Sequence, residues 1–418
     1  MTVHHAAIAP RFWAIWSADL SARLGAQLTF LALPLIAVLE LDASPAQMGL
    51  LVALEAAPAL VLGLLIGVWV DHSDKRRLLV AANLGQAAAL ALVPALWLTE
   101  RLSIEWLYVA ALLISLCRPL FDIAFRSYVP AVVDRALLLR ANSRLELGRS
   151  AAEIVGPAVA GALLQLIAAP LALAADSLAR LVSATLLRRA PVDSPVPDEA
   201  SGAHRSPRQL FAGIGQVRQS SVLRPLASAL MLSGFFNGAV EAVFLLFVAR
   251  ELGLAPLTIG MIFACGSLGF IVGALIPERL TGRIGLGWSL VVSLALIGAS
   301  DLLVPLATGP RLAVVVLLAT AQFVFGVGLT AFNANEITLR QSATSPHVLG
   351  RVNSVFYVLT HGAAPLGALA GGLLGSALGL RAALACAAAG ELLALLPLLN
   401  ARFRAALTTV HPQAAPSA

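Results

Sequence analysis

Charge is what this chain has least of. Only 12% of its 418 residues are Asp, Glu, Lys or Arg, against 59% hydrophobic, and a soluble domain needs about twice that charged fraction to cover its surface. A water-soluble globule is therefore excluded. Cysteine is scarce too: Cys117, Cys265 and Cys386 all fall inside apolar runs with no metal-ligand spacing, which predicts small core residues and no metal or other cofactor. The loops hold no Ser-His-Asp, metal-ligand or phosphate-loop pattern, so no enzyme is expected. Residues Met1 to Pro10 lack a basic n-region and the first apolar run is too long for a signal h-region, so no cleavage is expected. A net charge of +6 and a pI near 10 are values that nucleic-acid binders share, but the Arg residues sit in short loops between apolar runs, the pattern of topology anchors. No nucleic-acid partner is expected.

What is there is apolar sequence in long pieces. Runs fall at about 12–40, 45–69, 78–98, 104–125, 145–168, 170–188, 225–249, 256–277, 286–306, 311–333, 352–378 and 381–400, each near the roughly 20 residues a spanning helix needs. The reading is an all-α polytopic membrane protein with twelve transmembrane helices. With the N-terminus inside, the cytoplasmic connections hold most of the Arg, among them Arg140, Arg144, Arg188, Arg189, Arg279, Arg283 and Arg351, and the outside ones only Arg101, Arg250, Arg311 and Arg381. That asymmetry predicts both termini on the cytoplasmic side of a bacterial inner membrane.

Residues 189–208 form the single long polar stretch, rich in Pro and Ser, and read as a linker. After it Leu210, Ile214 and Val217 share a helical face beside Arg208 and Arg218, as in a short helix lying on the membrane surface. The expected organisation is a six-helix bundle over 1–188, a linker with its interfacial helix over 189–223, a second six-helix bundle over 224–404 and a disordered tail over 405–418. The two halves repeat at one offset. Glu251 − Glu40, Pro256 − Pro45, Gly260 − Gly49, Arg351 − Arg140, Asn353 − Asn142, Gly367 − Gly156 and Gly372 − Gly161 each give 211. Six helices were duplicated in parallel, an arrangement that binds substrate near the midplane between halves.

An ionisable residue deep in such a helix costs roughly 2.5 to 3.5 kcal/mol on insertion scales and belongs on a cavity or against a partner. The first run offers Asp19, Arg23 and Gln27, spaced by four and so on one face; the fourth has Arg118, Asp122 and Arg126; the fifth has Arg149 and Glu153, again four apart. Glu55 and Glu241 stand as single acids near mid-membrane, suited to carrying a proton, and His361 titrates in a useful range. Glu336 lies near a cytoplasmic end. Asp176, Arg180, Asp301 and Glu391 read as packing or interfacial charges outside the site.

Between the second and third runs lies Gly67-Val-Trp-Val-Asp71-His-Ser-Asp74-Lys75-Arg76-Arg77, in which six of eleven residues can carry charge. Gly67 permits close helix approach, Asp71 can accept hydrogen bonds at a neighbouring helix N-terminus, and the basic residues hold the turn inside. Gly-x-x-x-Asp with a following basic cluster resembles the signature loop of the major facilitator superfamily, with His72 where the family usually has Arg. The resemblance implies the two-bundle major facilitator fold, a monomer and transport of a small molecule by alternating access. It also places Asp71 opposite residues 350–354 and Asp122 within reach of Arg76 or Arg77, a latch between the halves. Gly156-Pro157-Ala-Val-Ala160-Gly161 is similar to the Gly-Pro-x-x-Gly-Gly motif of the superfamily's proton-driven antiporters, with Ala160 in place of a Gly. Arg118 stands at the depth of the family's proton-coupling Arg, though Pro119 follows it.

Narrower resemblance lies in Ala-Leu-Pro34-Leu, Arg140-Ala-Asn142-Ser, Leu-Arg224-Pro225 and Gly350-Arg351-Val-Asn353-Ser. These look like the branch of enterobactin-type siderophore exporters and macrolide efflux proteins. The branch implies a proton-driven exporter of a small amphipathic molecule, with a nutrient importer or a non-transporting sensor as other readings. Arg23, Arg118 and Arg149 favour an anionic substrate; Glu55 and Glu241 favour a cationic drug.

Overall fold

The chain is helical almost throughout, as it must be where lipid offers no partner to a free N–H or C=O. The computed structural model describes residues 10–71, 73–134, 137–190, 207–400 and 403; the side chains of 10–11, 59–69, 71, 207–212 and 346 also lie outside the description. The tail 405–418, most of the linker, the side chains of Gly67, Asp71 and Leu210, and His72 therefore lie beyond it.

The helices are α1 (Pro10–Leu39), α2 (Pro45–Asp71), α3 (Lys75–Leu98), α4 (Ile104–Val132), α5 (Leu138–Leu166), α6 (Ala169–Arg189), α7 (Pro207–Gln219), α8 (Leu223–Leu246), α9 (Pro256–Leu275), α10 (Pro277–Leu303), α11 (Arg311–Ser342), α12 (Pro346–Leu378), α13 (Leu380–Leu393) and α14 (Leu396–Leu399). Eleven spans among the described residues are long and apolar enough to cross a membrane, α13 and α14 counting as one. The 27-residue α2 is the twelfth. No strand occurs among the described residues. Leu166 and Leu312, 82% and 77% exposed, point outward, as side chains facing lipid do.

The chain divides into two units, one of residues 1–42 and 61–204, the other of 43–60 and 205–418. In the first, α1 packs on α5 and α6, and α3 on α4 and α6; in the second, α8 packs on α12 and α13, and α10 on α11 and α13. Shifting by 211 converts one set of contacts into the other. Each unit has its own core, Ile15, Val70, Leu79, Phe121 and Tyr128 in the first, Leu226, Leu290, Phe332 and Phe356 in the second. Polar pairs tie the helices together: Asn83 Nδ2 donates to Ser183 Oγ at 2.9 Å and Asn335 Nδ2 to Ser289 Oγ at 2.7 Å.

Three features depart from the expectation. Residues 43–60 group with the second unit instead of the N-terminal bundle, because the α2 backbone rides directly on α12: a Cβ built on Gly372 would stand 2.6 Å from Pro45 O and 2.9 Å from Gly49 Cα. The short helix α7 turns its apolar face into protein. Val217 is 5% exposed and joins the core of the second unit with Ile214 against it, and Gly213 lets α7 approach α12 so closely that its Cβ would lie 2.7 Å from Arg351 O. Third, α10 begins at Pro277, before its apolar run, and kinks at Gly285, whose φ of 78° and ψ of 160° suit glycine alone. The kink separates a charged first stretch, with Arg279 and Arg283, from the apolar span.

Two helix starts are capped by side-chain acceptors. Asp74 Oδ1 accepts from Arg77 N at 2.9 Å, and Ser220 Oγ accepts from Leu223 N at 3.1 Å. At the far ends of α1 and α8 the backbone widens in the same way. Leu41 N donates to Ile36 O at 3.2 Å and Leu252 N to Phe247 O at 3.0 Å, each a five-residue step, and residues 247–251 form a short π-turn.

Candidate functional site

In the first unit the charges of α1, α4 and α5 converge. Asp19, 2% exposed, accepts a hydrogen bond from Arg23 Nε at 2.8 Å, and its Oδ1 has no partner among the described residues. Asp122 of α4 and Arg149 of α5 both lie within electrostatic range of Asp19. Gln27, one turn past Arg23, lies against Gly156, where an added Cβ would meet the glutamine side chain, its Cβ at 2.8 Å. That contact is a direct reason for glycine ahead of Pro157; Gly161 is buried one turn on and α5 runs unbroken through the motif.

Two pairings differ from those the sequence suggests. Arg149 forks onto Glu146, with Nη2 at 2.5 Å from Oε1, and stands 3.9 Å from Glu153; three residues back proves a better reach for the guanidinium than four on. Asp122 meets neither Arg76 nor Arg77. Arg76 Nη1 instead donates to the carbonyls of Arg188 and Ala190 at 3.2 and 3.3 Å, where the end of α6 leaves acceptors unsatisfied, and Arg77 pairs with Asp74 at 3.0 Å. Lys75 is engaged with a neighbour. Arg118 is exposed and within electrostatic range of Asp176.

In the second unit Glu241 is the informative residue. From Gly238 to Ala249 every residue of the segment is buried except Glu241, which is exposed, and it forms no hydrogen bond or ion pair among the described residues. A carboxylate on accessible space in an otherwise packed membrane helix serves a cavity better than lipid. Glu55 of α2 is exposed as well, but it engages a neighbour, so its expected isolation does not hold. His361 is exposed; its ring stacks on Tyr357 at 4.1 Å and its Nδ1 lies 3.1 Å from Tyr357 O, a helix-surface arrangement. Glu336 pairs with Arg340 at 3.2 Å.

Sequence reasoning passed over one anchor on α1 and α5. Trp16 Nε1 donates to Arg144 O at 3.0 Å, and the Arg144 guanidinium sits 4.9 Å from the Trp13 ring centre. Two tryptophans three apart opposite an Arg were the available signal.

A family model described as a transmembrane secretion effector of the major facilitator class matches residues 6–415. The chain belongs to the major facilitator superfamily. This facilitator is 28% identical over 382 residues to an uncharacterized MFS-type transporter of Sinorhizobium fredii, covering 87% of this chain and 88% of the relative. It is 26% identical over 378 residues to the multidrug efflux pump Tap of Mycolicibacterium fortuitum, covering 87% and 89%. Among solved structures, a bacterial homologue of the iron transporter ferroportin in its inward-facing state aligns with a TM-score of 0.72 at 20% identity, covering 93% of this chain and 98% of that one. The nucleoside transporter NupG aligns with a TM-score of 0.75 at 14% identity over 95% and 100%. These likenesses establish the twelve-helix facilitator fold, and the facilitator is a multi-pass membrane transporter.

Proposed function

We propose that this facilitator is a proton-driven exporter of small amphipathic cations, moving drug-like molecules out across a bacterial inner membrane by alternating access. The observation that carries the reading is Glu241, an exposed acid without a partner among the described residues on a packed stretch of α8. Of the arginines that would favour an anionic siderophore, Arg23 is neutralised by Asp19 and Arg149 by Glu146. Asp122 lies within range of Asp19, and Arg149 is flanked by Glu146 and Glu153, an arrangement that suits a positive guest. Similarity to multidrug efflux pumps supports export, as does the Gly156-Pro157-Gly161 segment of α5.

In this reading Asp19, Arg23, Gln27, Glu55, Arg118, Arg149, Glu153, Glu241 and His361 border the substrate and proton path. Gly67, Asp71, Lys75, Arg76, Arg77 and Asp122 belong to the gating end, both termini are cytoplasmic and the working unit is a monomer. Glu241 takes a proton or the cation, one excluding the other, which is how exchange is coupled. The test is uptake into inverted membrane vesicles of a panel of cationic drugs and a panel of siderophores, with and without an imposed proton gradient. Gradient-dependent accumulation of cations, reduced at least tenfold by Glu241→Gln at equal protein level, is expected. Accumulation of siderophores alone, or full activity in Glu241→Gln, refutes the assignment.

A further inference from the structure

Two acids remain that the transport path does not use. Asp301 lies in the last turn of α10 and Glu391 near the end of α13, 6% and 0% exposed. They lie within electrostatic range of each other, where α10 and α13 pack so closely that a Cβ on Gly298 would meet Leu392 Cγ at 3.0 Å. Ser233 of α8 donates its hydroxyl to Glu391 Oε1. The other oxygens, Glu391 Oε2 and Asp301 Oδ2, are buried and have no partner among the described residues.

Among the described residues no cation pairs with them. The charged groups on the elements around the pair are Arg224 and Glu241 on α8, Glu278, Arg279 and Arg283 on α10, Arg311, Glu336 and Arg340 on α11, His347, Arg351 and His361 on α12 and Arg381 on α13; Arg340 pairs with Glu336 and Arg381 with Glu251, and none pairs with either acid. The internal repeat sharpens the point. Subtracting 211 takes Glu391 to Arg180 and Asp301 to Leu90. In the first unit Arg180 pairs with Asp176 at 3.1 Å, and the position equivalent to Asp176 in the second unit is Ala387 (176 + 211). One copy thus holds a compensated pair, and the other holds two acids and no base. Two ionised carboxylates packed in apolar surroundings with no counter-charge repel each other and lose hydration, whereas one bound proton removes the repulsion and supplies a hydrogen-bond donor.

We infer that Asp301 and Glu391 form a proton-binding site inside the second unit, one proton being held at their two free oxygens while the Ser233 hydroxyl fixes Glu391. The proton comes from water and returns to it; no other bond changes. Exchange is relayed to α8 through Ser233. The pair binds its proton whether or not transport consumes one, so the vesicle assay on Glu241 and the measurement here fail independently.

The test is infrared spectroscopy of the full-length protein in lipid nanodiscs, following the carboxylic-acid carbonyl band from acidic to alkaline pH in the wild type, Asp301→Asn, Glu391→Gln and the double variant. A band present at neutral pH in the wild type, shifted in each single variant and lost in the double variant, is expected. The wild-type Tm is followed across the same pH range, and the double variant should lose at least half of its pH dependence. Both singles are near-isosteric, and either one that folds is sufficient. Bands unchanged in every variant overturn the site; so does a Tm that responds to sodium at constant pH and ionic strength, which would put a metal cation where the proton is assigned.

Discussion

Removing one partner of the Asp176–Arg180 pair should be among the most damaging single changes in the first unit. Arg180 Nε lies 3.1 Å from Asp176 Oδ1, and the side chains are 7% and 1% exposed. Asp176 also accepts from Thr29 Oγ1 and is seated over Gly25, where even a methyl group would collide with its carboxylate. It can neither move away nor take in water easily. Arg180→Met keeps most of the volume and leaves the carboxylate buried, and breaking such a pair from one side costs about 3–5 kcal/mol. The surviving Thr29 bond and the field of Arg118 place the expectation near the lower end. For a cooperative unit of this size that is a Tm loss of roughly 6–12 °C, read by tryptophan fluorescence on the detergent-solubilised protein. Adding Asp176→Asn should recover most of the loss, since the uncompensated charge disappears and the amide oxygen still accepts from Thr29. A single variant within about 2 °C of wild type, or a double variant no better than the single, refutes the reasoning.

Three further outcomes follow from the packing. Arg381, at the start of α13, ties together the segments that follow α8 and α10 through Glu251 at 3.1 Å, the Pro305 carbonyl at 2.6 Å and the Phe247 ring at 5.1 Å; Arg381→Ala should lower stability by about 2 kcal/mol, with Arg381→Lys between, as thermal unfolding would register. Gly372→Ala should be worse than Gly156→Ala, because its Cβ meets backbone of Pro45 and Gly49 whereas that of Gly156 meets the Gln27 side chain, whose Cγ and Cδ can turn away although its Cβ cannot; monodisperse yield and Tm compare them. Gln27→Ala should relieve part of the Gly156→Ala defect, since it removes the Cγ and Cδ contacts and leaves the Cβ contact at 2.8 Å, and should do nothing for Gly372→Ala; equal behaviour of the two glycines would contradict the contacts described.

The architecture was legible because a bilayer leaves few choices: runs of about 20 apolar residues and a constant shift of 211 define twelve helices in two related sets. Side-chain partners were less so. Arg149 had carboxylates both three back and four on, and spacing alone does not decide between Glu146 and Glu153. Arg76 was matched to an acid, yet it spends its donors on carbonyls at the end of α6, acceptors that every helix terminus has and no sequence pattern marks. Residues 43–60 packed with the second unit because Gly49 meets Gly372, a contact between positions 323 apart (372 − 49). Asp301 and Glu391 stand 90 apart (391 − 301); each looks like an ordinary packing charge until α10 and α13 are laid together. Glu241 could be located as a solitary acid, but only the burial of its neighbours and the partner that Glu55 has in the fold separate the two.

The widened turns closing α1 and α8 have a historical consequence. Ile36–Leu41 and Phe247–Leu252 make the same five-residue hydrogen bond, and 36 + 211 is 247 and 41 + 211 is 252. Two separate origins of the same turn at one register are less economical than a single ancestor. The single-copy precursor of this chain therefore already ended its first helix in this way. Since then Ile36 has diverged from Phe247 and the neighbouring charges have found different partners, while the path of the backbone has been inherited twice.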